Sequence, residues 1–126
     1  KKINGIKTWI PKKAGRFYTY VGTEAEPSQV VELSEKFRGF KHWHRYTDLQ
    51  ISNLSKLIKF IGERNSIDYT KGLPQLVKEK GAKAFDICDV SMCQETKGLW
   101  SHTNCRTTKL DMFPQVELMD MLMSLK

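Results

Sequence analysis

No stretch of this chain comes near the roughly 20 consecutive apolar residues that a membrane helix needs, which leaves no helical membrane span in the sequence. Cysteine is scarce: Cys88, Cys93 and Cys105 are an odd three. That number cannot pair off completely, and it argues against a disulfide framework and for a reducing site of synthesis. Histidine is equally rare, with His42, His44 and His102 as the full set of three. Internal repeats and low-complexity linkers are absent, which removes solenoids and tethered arrays. Negative charge is in the minority, at 14 Asp and Glu against 21 Lys and Arg, for a net charge of +7. Such a field favours a polyanionic partner: nucleic acid, an anionic membrane surface or the anionic bacterial wall. The basic residues are scattered (Lys12 and Lys13, Lys56 and Lys59, Lys78 and Lys80), so a solubilising surface charge explains them equally well.

What is present fits one compact domain, residues 1–126, with 40% apolar and 28% charged residues. Ile3 to Ile10 is short and mixed, and Pro11 closes it. Gly15 to Gly22 places aromatic and β-branched residues between glycines, the pattern of a short strand, and Val30 to Leu33 reads as a second extended piece. Phe37 to Tyr46 is aromatic-rich without a clean period. The clearest element starts at Thr47, a helix cap with Gln50 three residues on. Leu49, Leu54, Leu57, Ile58 and Ile61 recur at helical spacing and predict an amphipathic helix with that face on the core, ending at Asn65-Ser66. A shorter helix follows Gly72-Leu73-Pro74 and stops at Gly81, and Ala84 to Val90 is ambiguous between strand and buried turn. Gly98 to His102 reads as a short buried strand, and a last helix starts near Pro114. Strands alternating with helices predict an α/β fold, one small mixed β-sheet flanked by helices.

The chemistry-bearing stretch is His102-Thr103-Asn104-Cys105-Arg106-Thr107-Thr108-Lys109-Leu110-Asp111. It offers an imidazole, an ammonium and a carboxylate within one loop's reach. Zinc takes imidazole nitrogen and carboxylate oxygen, and a catalytic zinc needs three protein ligands and an open position. On spacing alone, a hydrogen-bonded structural His–Asp pair is the commoner outcome.

From Trp43 onward the chain resembles the zinc-dependent N-acetylmuramoyl-L-alanine amidase family, which includes bacteriophage endolysins and peptidoglycan recognition proteins. The resemblance is carried by Tyr46-Thr47-Asp48-Leu49-Gln50 before the leucine-rich helix, Glu63-Arg64-Asn65 at its end, Gly98-Leu99-Trp100-Ser101-His102, Lys109-Leu110-Asp111, and Phe113-Pro114. It implies an amidase-like fold, with His102 and Asp111 as Zn2+ ligands and Lys109 as the catalytic residue that stabilises the transition state. The implied substrate is peptidoglycan or a muropeptide, cut between N-acetylmuramic acid and L-alanine at the bacterial wall by a phage-encoded or secreted protein.

The family's first zinc histidine comes from an N-terminal strand, and His42 and His44 stand in the wrong place for it. The resemblance therefore implies the C-terminal portion of a catalytic domain, completed by an N-terminal segment or a second chain. It also marks the 30 residues from Asp68 to Lys97 as an insertion. Two other readings stay open. One is a non-catalytic wall-binding or phage structural domain. The other is a zinc-ribbon-like nucleic-acid module using Cys88, Cys93, His102 and Cys105, which leaves Lys109-Leu110-Asp111 without a role.

Overall fold

The computed structural model describes residues 9–19 and 21–126. These form two compact units, one running up to Arg45 and the other from Tyr46 to Lys126. The described residues are mixed α/β, with two small antiparallel sheets and five helices.

In the first unit, β1 (Lys12–Lys13) pairs antiparallel with β2 (Arg16–Phe17). The strand expected over Gly15 to Gly22 shrinks to this pair and one bridge between Tyr18 and Glu24. Tyr20, and Ile3 to Thr8 of the opening segment, lie outside the described residues. The second sheet joins β3 (Val30–Phe37) to β4 (Phe40–His44), with Val31 opposite Trp43 and Phe37 opposite Phe40. The extended piece expected at Val30 to Leu33 thus continues to Phe37, and the stretch expected to be irregular supplies a regular partner strand. Arg38 and Gly39 both take positive φ, 51° and 87°, which is the two-residue turn whose twist matches a hairpin. Trp43 is fully buried here, and its indole N–H donates to Phe40 O at 3.0 Å.

The second unit opens with α1 (Asp48–Arg64). Its cap is the expected one: Thr47 Oγ1 accepts from Gln50 N at 3.1 Å, and Gln50 Oε1 accepts from Thr47 N at 2.8 Å. Two orphan donors of the first turn are satisfied reciprocally. The expected buried face is only partly buried. Ile51 is covered, whereas Leu49, Leu57 and Ile61 are 70%, 52% and 45% exposed. The apolar arc of α1 is wider than the surface that α5 covers.

Next come α2 (Leu73–Lys80), a 3-10 segment (Gly81–Asp86), α3 (Val90–Glu95), α4 (His102–Cys105) and α5 (Val116–Ser124). The stretch from Asp68 to Lys97 is therefore largely helical, and Ala84 to Val90 is not a strand. The core gathers Leu73, Val77, Phe85, Phe113, Leu118 and Leu122, all at 3% exposure or less. Among the described residues no sheet with helices flanking it forms in this unit. The segment expected as a strand at Gly98 to His102 makes a single parallel bridge, Gly72 to Leu99. It cannot extend, because α2 starts at Leu73 on one side and α4 at His102 on the other. No helix among the described residues is long and apolar enough to cross a membrane.

Candidate functional site

His102 is the first residue of α4, not the end of a strand. Its position is fixed from two sides. On the N-terminal side, Leu99 N donates to Lys71 O at 3.0 Å and Leu73 N donates to Leu99 O at 2.8 Å. Both glycines of this crossing are required: a Cβ on Gly72 would meet Leu99 O at 2.5 Å, and one on Gly98 would meet Lys71 O at 2.6 Å. On the C-terminal side, Asn104 anchors the helical turn from a fully buried position. Asn104 Nδ2 donates to Ala84 O at 2.9 Å and to Ile87 O at 2.8 Å. Asn104 Oδ1 accepts from Ser101 N at 3.0 Å and from Ser101 Oγ at 2.8 Å. A buried carboxamide with both ends satisfied is a strong positional constraint.

A second buried amide orders the opposite wall. Gln115 Oε1 accepts from Tyr46 N at 2.7 Å, and its Nε2 donates to Tyr46 O at 3.0 Å. This pair ties the entrance of α1 to the segment that follows Asp111. The Tyr46 ring stacks on Phe113, with centroids 4.8 Å apart. Burial pushes the Tyr46 phenol up to about 12; a hydrogen bond with the Phe113 backbone opposes the shift, and the Asp111 charge adds to it. Tyr46 is therefore a neutral hydrogen-bonding group near the Asp111 carboxylate, with its ring packed on Phe113.

Between these walls, His102 Nδ1 lies 3.3 Å from Asp111 Oδ2, with side chains 46% and 54% exposed. A charge-assisted N–H to carboxylate bond is shorter, about 2.7 to 2.9 Å. Two donors each about 2.1 Å from a tetrahedral zinc are roughly 3.4 Å apart. The contact is a hydrogen bond here, and its spacing, donor types and solvent access are also compatible with two of a zinc ion's ligands. Lys109 is half-buried on the same loop, and its backbone N–H donates to Arg106 O at 3.4 Å. Among the described residues no group of three or more His, Cys, Asp or Glu could hold a metal ion. Lys1 to Thr8 and Tyr20 contain none of these four residue types. The pair alone is thus short of the three protein ligands of a catalytic zinc.

The cysteines form a separate neighbourhood. Cys93 Sγ donates to Asn104 O at 3.5 Å. Its thiol is pushed up to about 11, first by burial, then by a hydrogen bond with Cys105 and the charges of Cys105, Asp89 and Cys88. All three cysteines are free, and the hydrogen-bond partner of His102 is Asp111.

No family model, no curated protein and no solved structure matches this chain.

Asn104 and Gln115 were not singled out from sequence as parts of the site. The only local signals are Ser101 three residues before Asn104, a capping arrangement, and Pro114-Gln115 ahead of a helix. Their long-range carbonyl partners leave no mark in the local pattern.

Proposed function

We propose that this chain carries part of a zinc-dependent amidase site, which hydrolyses the bond between N-acetylmuramic acid and L-alanine in peptidoglycan or a muropeptide. The observation that carries this reading is the 3.3 Å approach of His102 Nδ1 to Asp111 Oδ2 on a solvent-accessible edge. The order of the motifs from Tyr46 to Pro114 supports the same family. His102 and Asp111 would hold Zn2+, with a third ligand from an N-terminal segment or a second chain. Zinc in such a site polarises a carbonyl and brings the pKa of water down to about 7. Lys109 supplies a positive charge for the developing oxyanion. Asn104 and Gln115 keep the two halves of the loop in register. The net charge of +7 suits an anionic wall as the place of action, for a phage-encoded or secreted protein.

The zinc-ribbon-like nucleic-acid module is the second reading, and it would have to draw Cys88, Cys93, His102 and Cys105 together from positions where no three of them form a metal-binding group among the described residues. A catalytically silent wall-binding or phage structural domain is the third.

The test is muropeptide hydrolysis by the chain together with the segment that completes its site, followed by mass spectrometry of released stem peptide. Lys109→Ala should keep its zinc and lose roughly 10²–10³ in kcat. Unchanged turnover removes Lys109 from the mechanism. Zinc-loaded protein that binds muropeptide and releases no stem peptide makes this a wall-binding domain.

A further inference from the structure

Helix α1 carries two apolar stripes, and only one of them is covered. Ile51 and Gly62 lie on the covered stripe. Leu57, Phe60 and Ile61 form the other, at the i, i+3 and i+4 spacing that lines one helix face, and Phe60 is 60% exposed. The Arg64 guanidinium is 6.0 Å from the Phe60 centroid, the outer limit of a cation–ring contact, and it leaves that face open. Single apolar residues scattered on a surface need no partner, but a contiguous group of large ones marks an interaction site. We propose that this face of α1 pairs antiparallel with α1 of a second copy of the chain.

Charge and register select that occupant. Exposed Lys56 and Glu63 stand seven residues apart on one edge of the stripe, about two helical turns. A two-fold antiparallel pair brings this same edge of both helices together, running in opposite directions. With the axis between Lys59 and Phe60, Lys56 of each copy stands beside Glu63 of the other. The same register sets Phe60 against Phe60, and Leu57 against Ile61 of the second copy. Apolar contacts and ion pairs of opposite sign therefore coincide in a single alignment of the helix with itself.

Parallel pairing of the same faces lacks this match. It turns the charged edge of one helix toward the Leu54 and Ile58 edge of the other, and neither ion pair forms. The charges thus set orientation, as flanking charges do in helix pairs generally. The seam is short, with three large side chains from each copy, which places it among weak and reversible dimers.

The experiment is sedimentation equilibrium of the intact chain at low salt. The expected result is a monomer–dimer equilibrium with Kd on the order of 100 µM. Glu63→Lys sets like charges side by side and should weaken the dimer about tenfold, and Lys56→Glu should do the same. Both changes in one chain exchange the two signs and should restore the wild-type Kd. Phe60→Ser should abolish pairing with an unchanged circular dichroism spectrum, since that side chain is outside the core. Leu49 lies beyond the overlap in this register, so Leu49→Ser should leave the Kd unchanged, as should His102→Ala. A chain that stays monomeric at about 1 mM, tenfold above that Kd, overturns the proposal. A double variant as weak as either single one overturns it as well. Leu49→Ser as damaging as Phe60→Ser would make the association non-specific adhesion of apolar surface, and it too overturns the pairing. Dimerisation and muropeptide hydrolysis are separate readouts, so either can fail without the other.

Discussion

Replacing Asn104 with Ala should destabilise the turn that positions His102. The side chain is fully buried and makes four hydrogen bonds, to Ala84 O, Ile87 O, Ser101 N and Ser101 Oγ. Truncation leaves two carbonyls and one amide N–H without that partner, and an unsatisfied buried group costs about 1–3 kcal/mol. Taking the low end for each, the loss is about 3 kcal/mol. For a chain of this size that is roughly a 10 °C fall in Tm. Urea unfolding followed by circular dichroism measures it, with the midpoint falling and the slope unchanged. Ser101→Ala removes only a hydroxyl partner and should cost about 1 kcal/mol. If Asn104→Ala loses less than Ser101→Ala, the carboxamide is not what holds α4.

Three further outcomes follow from the same geometry. The Tyr46 phenol, raised to about 12, stays protonated in the folded state after it ionises in the unfolded chain near pH 10. The folded state then binds more protons, so stability falls as pH rises from 10 toward 12, by about 2 kcal/mol. Alkaline melts of Tyr46→Phe should lack that component, and identical curves for the two proteins would contradict the burial of the phenol. Cys93, raised to about 11, should alkylate roughly 100-fold more slowly at pH 8 than an ordinary thiol. Iodoacetamide labelling with peptide mapping checks this, and labelling as fast as a free thiol refutes it. Gln115→Leu keeps the side-chain volume but leaves Tyr46 N and O unpaired, and should cost about 2–3 kcal/mol in the same urea assay. A loss below 1 kcal/mol would mean that water replaces the amide.

Local signals were legible in the sequence wherever the physics is local. Thr47 and Gln50 cap α1 as their spacing requires, and Gly81 ends α2. The hairpin of β3 and β4 was half hidden, because its turn uses Arg38 at positive φ where asparagine or glycine is the usual signal. Gly98 to His102 has the apolar residues of a strand, yet Ser101 and Asn104 three apart make it a helix start. That choice is stabilised by carbonyls about 20 residues away, at Ala84 and Ile87. The exposed Leu49, Leu57 and Ile61 show a related limit. Periodicity reports which face of a helix is apolar, and it does not report how much of that face another element covers. The hydrogen bond between His102 and Asp111 is the outcome that spacing alone makes the commoner one for a His and an Asp on one loop. A shared metal ion is implied by the family resemblance and not by the spacing.

The central claim is that His102 and Asp111 share one divalent ion. The most direct measurement is a Zn2+ titration of the chain together with the segment that completes its site, following the His102 ring by NMR in the wild type and in Asp111→Ala, Cys88→Ala and Cys93→Ala. The account predicts a saturable His102 response that Asp111→Ala removes and that both cysteine variants keep. A response that survives Asp111→Ala and disappears with Cys88→Ala or Cys93→Ala would contradict it and move the metal to the cysteine cluster.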